Sequence, residues 1–551
     1  MGDMQYTELW SSLCEKSRWI ETEMDALTRK RTGSYYTDLK LTDAMMSELV
    51  EHLKAKNLTK KVYEYRLLEP CVGTGNFVFS YIRAVRATGI DADEAQIMLD
   101  NIYVADVNIE ALNGYKEFLK KTAALFWNIE LSDEYFEKHM GTGLLVDVTA
   151  SELNYIPINE VFPTEVISNG FDIVVTNPPY KNLKAERGHY ENDDEYDKDK
   201  GKYSAISKIV SKHFRYSTEG VLNLYKLFVE EIIESYANET AFVSVLVPAS
   251  IMSDKTCMKL RTHMLKDNKL ISVKVIREGS GYIDTQQALS AILLQKGKKT
   301  DRVAIIKDYC NNPEDIAEVS IKDILNENTG NAIVAVSSNE YKILRKLRQF
   351  PVVKELSFVV NLRGELDLTA NKHNIVNTDT GYPLVRGRNI GYYKMLVTSQ
   401  REFVTDEFVK VTKKKCYIEQ ERIICQQIAN MSKDRRVTFA LAPKKYVLGN
   451  SCNFISVGEN PYGIDIYTLL GLFNTKIINW LFKLTSSNNH VNNYEIDCFP
   501  IPVEAPELKK ISVLARKFLN VQDNEILEEI EQLAFKAYGI SISTGEQNGE
   551  E

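Results

Sequence analysis

The sequence has no long apolar run. None of its hydrophobic stretches approaches the roughly 20 residues that a membrane-spanning helix needs. The opening stretch MGDMQYTELWSSLCEKSRWIETEMDALTRKR has neither the basic start nor the apolar segment of a signal peptide. We therefore expect a cytoplasmic protein that does not contact a membrane. Apolar residues make up 44% of the 551 residues, which excludes wholesale disorder, and the length predicts two domains.

The sequence also lacks the cysteine and histidine spacings typical of metal sites. The eight cysteines form no CxxC pair, and the seven histidines include no HExxH motif. This pattern predicts reduced thiols packed as small apolar side chains, not a disulfide framework. Because no ligand spacing typical of zinc is present, we expect no bound metal.

The chain has no overall excess of positive charge, because its net charge is -8. Local clusters decide binding in a protein of several domains, so the distribution matters more than the sum. Residues 410–445 contain ten basic residues against three acidic ones, whereas the segment ENDDEYDKDK, residues 191–200, is acidic. The basic segment is typical of a surface that holds phosphates, although a solvated charged face would have the same composition.

The first half alternates strand-like and helix-like stretches. Apolar runs such as YRLLEPCVG, NIYVADVN and FDIVVTN are separated by stretches with apolar residues at helical spacing. Strands that are apolar at nearly every position predict a mainly parallel sheet covered by helices on both faces. The predicted fold class is therefore α/β, a doubly wound Rossmann-like domain in which KLISVKVIRE and QALSAILLQK could form a closing hairpin pair.

The second half has short strand-like runs and an amphipathic helix near its end, which predicts a mixed α+β domain. The expected organisation is an N-terminal helical segment at 1–30, the α/β domain at 31–320, the second domain at 321–540 and a disordered tail at 541–551.

Two glycines mark a strand-to-helix turn in LLEPCVGTGNF, residues 67–77. Ligands of doubly wound folds bind at the carboxyl ends of the strands, where Gly73 and Gly75 would let a ligand approach the backbone. The stretch matches neither GxGxxG nor a P-loop, and alone it could be a plain tight turn. Asp106 and Asp147 follow later strands, where carboxylates could meet a ribose and an adenine edge. Either could instead be a cap or turn residue, but with the glycine turn they predict a nucleoside pocket.

The stretch FDIVVTNPPYKN, residues 171–182, ends an apolar run on Asn177, Pro178, Pro179 and Tyr180. Each proline lacks an N–H and fixes its own φ, and the residue before a proline is held extended. The predicted turn is rigid and offers two acceptors, the Asn177 side-chain oxygen and the Pro178 carbonyl, beside the Tyr180 ring. It contains no nucleophile and no ordinary general base.

Such a turn suits a planar amine whose lone pair is delocalised into a ring. Hydrogen bonds from both N–H groups to Asn177 and Pro178 would favour the pyramidal geometry of the transition state. Tyr180 would stack on the base and hold it in line. The stretch therefore predicts methylation of an amino group such as that of adenine.

The stretches EPCVGTGNF, ADVN and TNPPY, in this order on alternating strands, resemble the AdoMet-dependent amino-methyltransferases of DNA. RTGSYYT, residues 31–37, resembles the N-terminal cofactor motif of the adenine-specific enzymes, and NLYKLFVEEII and SVLVPASIM resemble their later motifs. The motif order is similar to that of the gamma group of bacterial restriction-modification systems, the TaqI type. YPLVRGRNIGYY, LLGLFNTKIINWLFK and FPIP in the second half resemble target-recognition domains of that group.

The resemblance implies S-adenosyl-L-methionine as the cofactor and methylation of adenine N6 in duplex DNA. Its implied cofactor-binding residues are Thr37, Glu69, Gly73, Gly75, Asp106 and Asp147. Asn177, Pro178, Pro179 and Tyr180 would be the catalytic residues. Tyr282 in GSGYIDTQQ is the candidate to pack on the other face of the flipped base, and Ile283 is nearly as well placed.

The target base must leave the double helix to reach such a site, at a cost of about a few kcal/mol. The second half would then hold phosphates and read base edges, and arginine can bridge two acceptors of guanine. The DNA-binding candidates are Arg386, Arg388, Lys413, Lys414, Lys415, Arg435 and Arg436.

Other readings of the same motifs stay open. The planar amine could be cytosine N4, a guanine in RNA or a protein glutamine, and the chain could be a non-catalytic DNA-binding subunit with a retained methyltransferase fold. A fused nuclease is disfavoured, because about 30 residues before RTGSYYT are too few for such a domain. We expect a monomer whose cognate restriction endonuclease is a separate chain. We also expect a link to type IIS sites, whose asymmetric sequences often need a second methyltransferase for the other strand.

Overall fold

The structure is a computed structural model, and it divides into two compact units, Met1–Ser338 and Asn339–Glu551. It describes residues 8–12, 15, 37–56, 60–148, 150, 152–190, 192–280, 287–396, 401–430, 433–486 and 489–541. Residues 8–12 are helical, while most of the N-terminal segment predicted at 1–30 lies outside the described residues, as do residues 542–551 of the predicted tail. In the part of the chain that is described, no helix is both long and apolar enough to cross a membrane.

The described residues of unit 1 form a nine-stranded sheet. Its strand order is β3-β2-β1-β6-β7-β9-β8-β10-β11. Its strands, together with the small β4–β5 pair, are β1 (Leu67–Glu69), β2 (Ile102–Asp106), β3 (Met140–Thr142), β4 (Leu145–Val146), β5 (Tyr155–Ile156), β6 (Phe171–Thr176), β7 (Ala237–Pro248), β8 (Lys269–Ile276), β9 (Leu289–Gln295), β10 (Arg302–Ile306) and β11 (Ile316–Ser320).

From residue 39 onward, the α-helices of unit 1 lie before, between or after these strands. They are α1 (Leu39–Lys56), α2 (Asn76–Arg86), α3 (Ala92–Asp100), α4 (Ile109–Trp127), α5 (Asp133–His139), α6 (Ile158–Val161), α7 (Thr164–Ile167), α8 (Asp193–His213), α9 (Leu224–Glu231), α10 (Met258–Lys266) and α11 (Ile321–Ile324). Residues of α1, α2 and α4 share a hydrophobic core with β1, β2, β6 and β7.

The sheet is mainly parallel, which confirms the predicted doubly wound α/β fold. β9 is antiparallel to both of its neighbours, β7 and β8, so the predicted hairpin pair forms. The chain passes from β1 outward through β2 to β3, and then returns to place β6 and β7 on the other side of β1. The strand order therefore reverses between β1 and β6, and ligands of doubly wound sheets bind at the carboxyl edge of such a point.

The predicted strand TGLLVDVTA is interrupted. Gly143 and Leu145 have φ angles of 77° and 66°, in the left-handed region, which an extended strand does not use. The third strand of the large sheet is consequently β3, and the next residues form the two-residue β4, which pairs with β5.

Residues 321–338 belong to unit 1, whereas the sequence suggested a boundary after residue 320. The buried Arg261 guanidinium explains the difference, because it donates hydrogen bonds to the carbonyl oxygens of Gly330 and Asn331. The Ile333 N–H also donates to the Met252 carbonyl at 2.8 Å. This segment is therefore fastened to unit 1 by buried hydrogen bonds.

Unit 2 is a mixed α+β unit. Four antiparallel strands form a sheet in the order β12-β19-β16-β17, and β13–β15 and β14–β18 form separate pairs. The strands are β12 (Val359–Arg363), β13 (Ile375–Val376), β14 (Leu384–Val385), β15 (Phe403–Val404), β16 (Arg422–Gln426), β17 (Phe439–Ala442), β18 (Val447–Leu448) and β19 (Cys452–Val457). The helices are α12 (Ser338–Leu347), α13 (Asp406–Val411), α14 (Lys415–Ile418), α15 (Ile466–Phe473), α16 (Lys476–Thr485), α17 (Asn493–Ile496), α18 (Glu507–Val521) and α19 (Asn524–Ala537).

Candidate active site and nucleic-acid interface

The glycine turn lies at the carboxyl end of β1. Gly73 and Gly75 have φ angles of 51° and 98°, which side-chain-bearing residues rarely adopt. A Cβ on Gly75 would come within 2.6 Å of the Tyr115 ring and 2.7 Å of the Phe79 ring. A Cβ on Gly73 would meet no atom within 4 Å. Packing therefore requires the glycine at 75, while the position of Gly73 faces open space at the edge where a ligand would lie.

Asp106 ties the end of β2 to this turn. Its carboxylate accepts a hydrogen bond from the Gly73 N–H at 2.7 Å and another from the Asn108 N–H at 2.8 Å. Burial raises the pKa of Asp106, the backbone N–H groups oppose that rise, and the negative charge of Asp147 adds to it. Each carboxylate oxygen can accept more than one hydrogen bond, so Asp106 can still accept hydrogen bonds from the hydroxyl groups of a ligand.

Glu69 is the last residue of β1 and is 1% exposed. Its Oε2 atom is buried and has no hydrogen-bond partner among the residues that the structure describes. Burial raises the pKa of Glu69 well above its ordinary value, and the nearby Asp106 raises it further. A buried carboxyl oxygen without a donor is costly, so a ligand with N–H or O–H groups would stabilise this edge.

Asp147 follows β4 and lines a cleft of about 460 Å³. The cleft walls include Thr142 at the end of β3 and Tyr155 of β5. The negative charge of Asp147 contributes to the raised pKa of Asp106.

Asn177 follows the buried strand β6 at the same carboxyl edge. Its side-chain Nδ2 donates a hydrogen bond to Thr37 Oγ1 at 2.9 Å, although 140 residues separate them in the chain. The Thr37 carbonyl accepts a second hydrogen bond from Asn76 Nδ2 at 2.8 Å, at the start of α2. Thr37 therefore connects the glycine turn to the Asn-Pro-Pro-Tyr turn. In this arrangement the amide nitrogen faces Thr37, and the Oδ1 atom of Asn177 is an acceptor.

Contacts with two described residues help to hold Tyr180. Its hydroxyl donates to the Leu246 carbonyl of β7 at 3.1 Å, and its ring meets the Tyr225 ring edge-on at 6.3 Å between centroids. Pro178 is buried and Pro179 half-buried. The turn is thus fixed by its two prolines and by the neighbouring strand.

Three residues that the sequence did not single out support this turn. Asn76 holds Thr37, and Asn223 Nδ2 donates to Asn182 Oδ1 at 2.9 Å beyond the turn. Tyr225, which packs against Tyr180, places its hydroxyl 3.1 Å from Ser250 Oγ. The stretch NLYKLFVEEII carried the only signal for Asn223 and Tyr225. The stacking candidates Tyr282 and Ile283 lie outside the described residues, as do residues 31–36 of RTGSYYT.

Four of the seven DNA-binding candidates in unit 2 are bound within that unit. Arg435 donates to the Asn474 carbonyl at 2.7 Å, and Arg436, 2% exposed, donates to the Ser486 carbonyl at 3.1 Å. Lys414 donates to the Arg363 carbonyl at 2.6 Å. Arg386 forms a two-point ion pair with Glu402, at 2.6 and 2.8 Å. Each of these side chains directs at least one donor at a protein oxygen.

The other three candidates are exposed. The Arg388 side chain is 67% exposed and lies 3.7 Å from Glu402. Lys413 and Lys415 are exposed and make no ion pair with a described residue. Arg422, in the same basic segment, is instead fully buried against Glu365, whose side chain is also 0% exposed. Exposure therefore narrows the predicted surface to Arg388, Lys413 and Lys415.

Comparison with known families yields two matches. Residues 100–279 match the family model described as Eco57I restriction-modification methylase, and residues 382–501 match the TaqI-like C-terminal specificity domain. No curated protein matches the chain. The first match contains Asp106, Asp147 and the Asn177 turn, and the second contains Arg388, Lys413 and Lys415.

Solved structures similar to this chain include restriction-modification enzymes. The type IIL enzyme MmeI in complex with DNA matches with a TM-score of 0.47 and 11% identity, over 95% of this chain and 78% of that chain. The DrdV–DNA complex matches with a TM-score of 0.48 and 10% identity, over 90% of this chain and 58% of that chain. The type IIG restriction endonuclease BpuSI matches with a TM-score of 0.43 and 13% identity, over 92% and 66%. The chain thus spans less than two thirds of the DrdV and BpuSI chains.

Proposed function

We propose that this chain, which joins a segment similar to a restriction-modification methylase to one similar to a TaqI-like specificity domain, methylates adenine at N6 in a specific duplex DNA sequence. The observation that carries the proposal is the position of the Asn177–Tyr180 turn beside the Gly73 turn, where the strand order of the sheet reverses. An amine held by the first turn would lie next to a nucleoside-containing cofactor held by the second.

The residues at this edge fit S-adenosyl-L-methionine. Glu69 Oε2 is a buried acceptor that lacks a donor among the described residues. Because Gly73 has no side chain, the space beside it stays open for a ligand. Asp106 and Asp147 would meet the ribose and adenine, as acceptors near open space. When bound, this cofactor supplies a methyl group on a sulfonium sulfur.

The protein's own contribution would be to bind and shape the amine. The Asn177 oxygen and the Pro178 carbonyl would accept hydrogen bonds from the two amino N–H groups, which favours the pyramidal nitrogen of the transition state. Tyr180 would stack on the base. Because its hydroxyl and ring are already anchored to Leu246 and Tyr225, its orientation would need little adjustment on binding.

Thr37 would hold the Asn177 amide in the productive orientation. The Thr37 hydroxyl accepts from Nδ2, and in this orientation the amide oxygen would accept a hydrogen bond from the substrate amine. A flipped amide would present N–H groups to other N–H groups and could not bind the amine. Thr37, expected at the cofactor site, would thus serve both halves of the site.

The specificity segment would bind DNA and select the sequence. The target adenine would be turned out of the helix into the pocket at a cost of about a few kcal/mol, which DNA contacts must offset. Arg388, Lys413 and Lys415 are the exposed candidates for these contacts. The biological role would be protection of host DNA from a cognate restriction endonuclease carried on a separate chain.

Methyl transfer by the purified protein tests this proposal. Duplex DNA is incubated with methyl-labelled cofactor, digested to nucleosides and analysed by mass spectrometry. We expect N6-methyladenine, whereas N4-methylcytosine or the absence of any methylated base would contradict the adenine assignment.

The matched variants are Asn177→Ala and Asn312→Ala, the second in an exposed turn between β10 and β11. We expect Asn177→Ala to slow methylation by about 10² to 10³, the range found when one transition-state hydrogen bond is removed. The cofactor affinity of this variant, measured by calorimetry, should stay within about twofold of the wild-type value. The loss of one hydrogen bond to the cofactor would change the affinity by more than that. Asn312→Ala should behave like the wild type, and loss of cofactor binding in Asn177→Ala would show that Asn177 acts at the cofactor instead.

A further inference from the structure

Helix α8, together with the five residues after it, follows the Asn177–Tyr180 turn and has two halves of opposite charge. Residues 193–199 contain five acidic residues and one lysine. Residues 200–218 contain no acidic residue and five basic ones. The basic residues are Lys200, Lys202, Lys208, Lys212 and Arg215.

Local interactions account for the acidic half. Asn192 caps the helix by accepting the Glu195 N–H at 2.9 Å, and acidic residues in a first turn stabilise the positive end of the helix dipole. Asp199 accepts a hydrogen bond from the Tyr190 hydroxyl at 2.9 Å and pairs with Lys202 at 3.3 Å. These carboxylates therefore serve the helix itself.

The basic half is not accounted for in this way. Tyr203, Ile206 and Val210 form the buried face of α8, while Lys208 and Lys212 are exposed one turn apart. Lys212 lies in the last turn, where it would complement the helix dipole, but Lys208 and Arg215 lie outside that turn. Lys200, Lys208, Lys212 and Arg215 make no ion pair with any residue in the described part of the chain.

The buried side of α8 lies against the candidate site. The Tyr203 ring is 5.6 Å from Nζ of Lys181, the residue after Tyr180. At the other end of the helix, the His213 ring stacks on Tyr155 at 4.6 Å, and Tyr155 lines the cleft that contains Asp147. The helix thus runs from the Asn177–Tyr180 turn to the Asp147 cleft with Lys200, Lys208 and Lys212 exposed.

We propose that Lys200, Lys208, Lys212 and Arg215, here called the basic stretch, bind the sugar-phosphate backbone of duplex DNA beside the flipped base. The inference rests on the proposed function and adds a DNA contact within the catalytic unit. Phosphates are the chemistry that fits, because the basic stretch offers several exposed cations along a segment without a carboxylate. Phosphate contacts fix the position of DNA without reading its sequence.

Salt-dependent binding of a mixed-sequence duplex of about 30 base pairs tests this surface, since each phosphate contact adds about 0.9 to the slope of log affinity against log salt. The variant Lys208→Gln/Lys212→Gln/Arg215→Gln removes three charges from the basic stretch. The control Lys269→Gln/Lys298→Gln/Lys299→Gln removes three exposed charges at the opposite, amino edge of the sheet, at the start of β8 and after β9. Cofactor affinity and melting temperature are measured for both.

The basic-stretch variant should bind DNA about tenfold or more weakly at about 100 mM salt, with a slope smaller by about 2 to 3. The control should keep the wild-type affinity and slope, and both should bind the cofactor normally. Equal salt slopes for the wild type and the basic-stretch variant, or equal losses of DNA affinity in the two variants, would contradict DNA binding by the basic stretch. Neither result would contradict the proposed function. A wild-type protein that binds no duplex DNA even at about 50 mM salt would contradict the proposed function itself.

Discussion

The basic segment of unit 2, residues 410–445, and the region around helix α8 in unit 1 use positive charge in opposite ways. The first has the larger surplus, yet Arg422, Arg435, Arg436 and Lys414 bind protein oxygens. The α8 region begins in the acidic segment 191–200. Its four basic-stretch residues nevertheless make no ion pair with a described residue. Charge counted along a chain therefore does not locate a DNA surface, because buried carbonyls and carboxylates use part of it.

The strongest test of this contrast is the buried pair of Arg422 and Glu365, since both side chains are 0% exposed. Arg422→Met would leave Glu365 buried without its partner, and we expect a loss of about 3–5 kcal/mol in the free energy of unfolding. Urea denaturation of the full chain measures it. The exposed variant Lys413→Gln should change stability by less than about 0.5 kcal/mol. A stable Arg422→Met protein with weakened DNA binding would contradict this structural role and indicate that Arg422 contacts DNA.

The exposed lysines of the basic segment provide the second test. Lys413→Gln/Lys415→Gln should weaken duplex DNA binding by about tenfold at about 100 mM salt and reduce the salt slope by about 2. Folding should be unaffected, because both side chains are exposed. The matched control, Lys509→Gln/Lys517→Gln on α18, removes two other exposed charges from the same unit. If the two variants lose affinity equally, the segment has no special role.

The smallest expected effect concerns Glu402, which pairs with Arg386. The Arg386 guanidinium lowers the pKa of Glu402, so the pair stabilises the protein above the ordinary value of 4.5, and this contribution is lost as the pH falls through the lowered pKa. Glu402→Gln should remove that acid dependence of the melting temperature, at a cost of less than about 1 kcal/mol because the pair is partly solvated.

The same variant reports on DNA binding. It would free the Arg386 fork and relieve the opposing charge near Arg388, so the salt slope should rise by about 1. Unchanged DNA binding would indicate that neither arginine reaches a phosphate or a base.

Much of the catalytic half could be predicted from local pattern. Apolar strands separated by helices indicated a parallel sheet, and residues that follow such strands share one edge, which is why Gly73, Asp106 and Asn177 were expected together. The Asp147 strand was misjudged, because the left-handed Leu145 interrupts an apolar run that looked continuous. The hydrogen bond from Asn177 to Thr37 joins residues 140 positions apart, and periodicity carries no information about such a pair.

The polar half was harder to predict because side chains compete for partners that the sequence does not reveal. Arg435 and Arg436 looked like a DNA-binding pair, but the carbonyls of Asn474 and Ser486, about 40 and 50 residues away, accept their hydrogen bonds. Helix α8 shows the reverse case, since its cap and its ion pair with Lys202 use acidic residues, whereas Lys208 and Lys212 are exposed.

The central claim, adenine methylation at the Asn177 turn, is tested most directly by mapping modified bases across the genome of a host that expresses this protein or its Asn177→Ala variant. We predict N6-methyladenine at one fixed sequence motif in the host with the wild-type protein, and strongly reduced modification of that motif with the variant. Absence of modified adenine with the wild-type protein, or equal modification with both, would contradict the account.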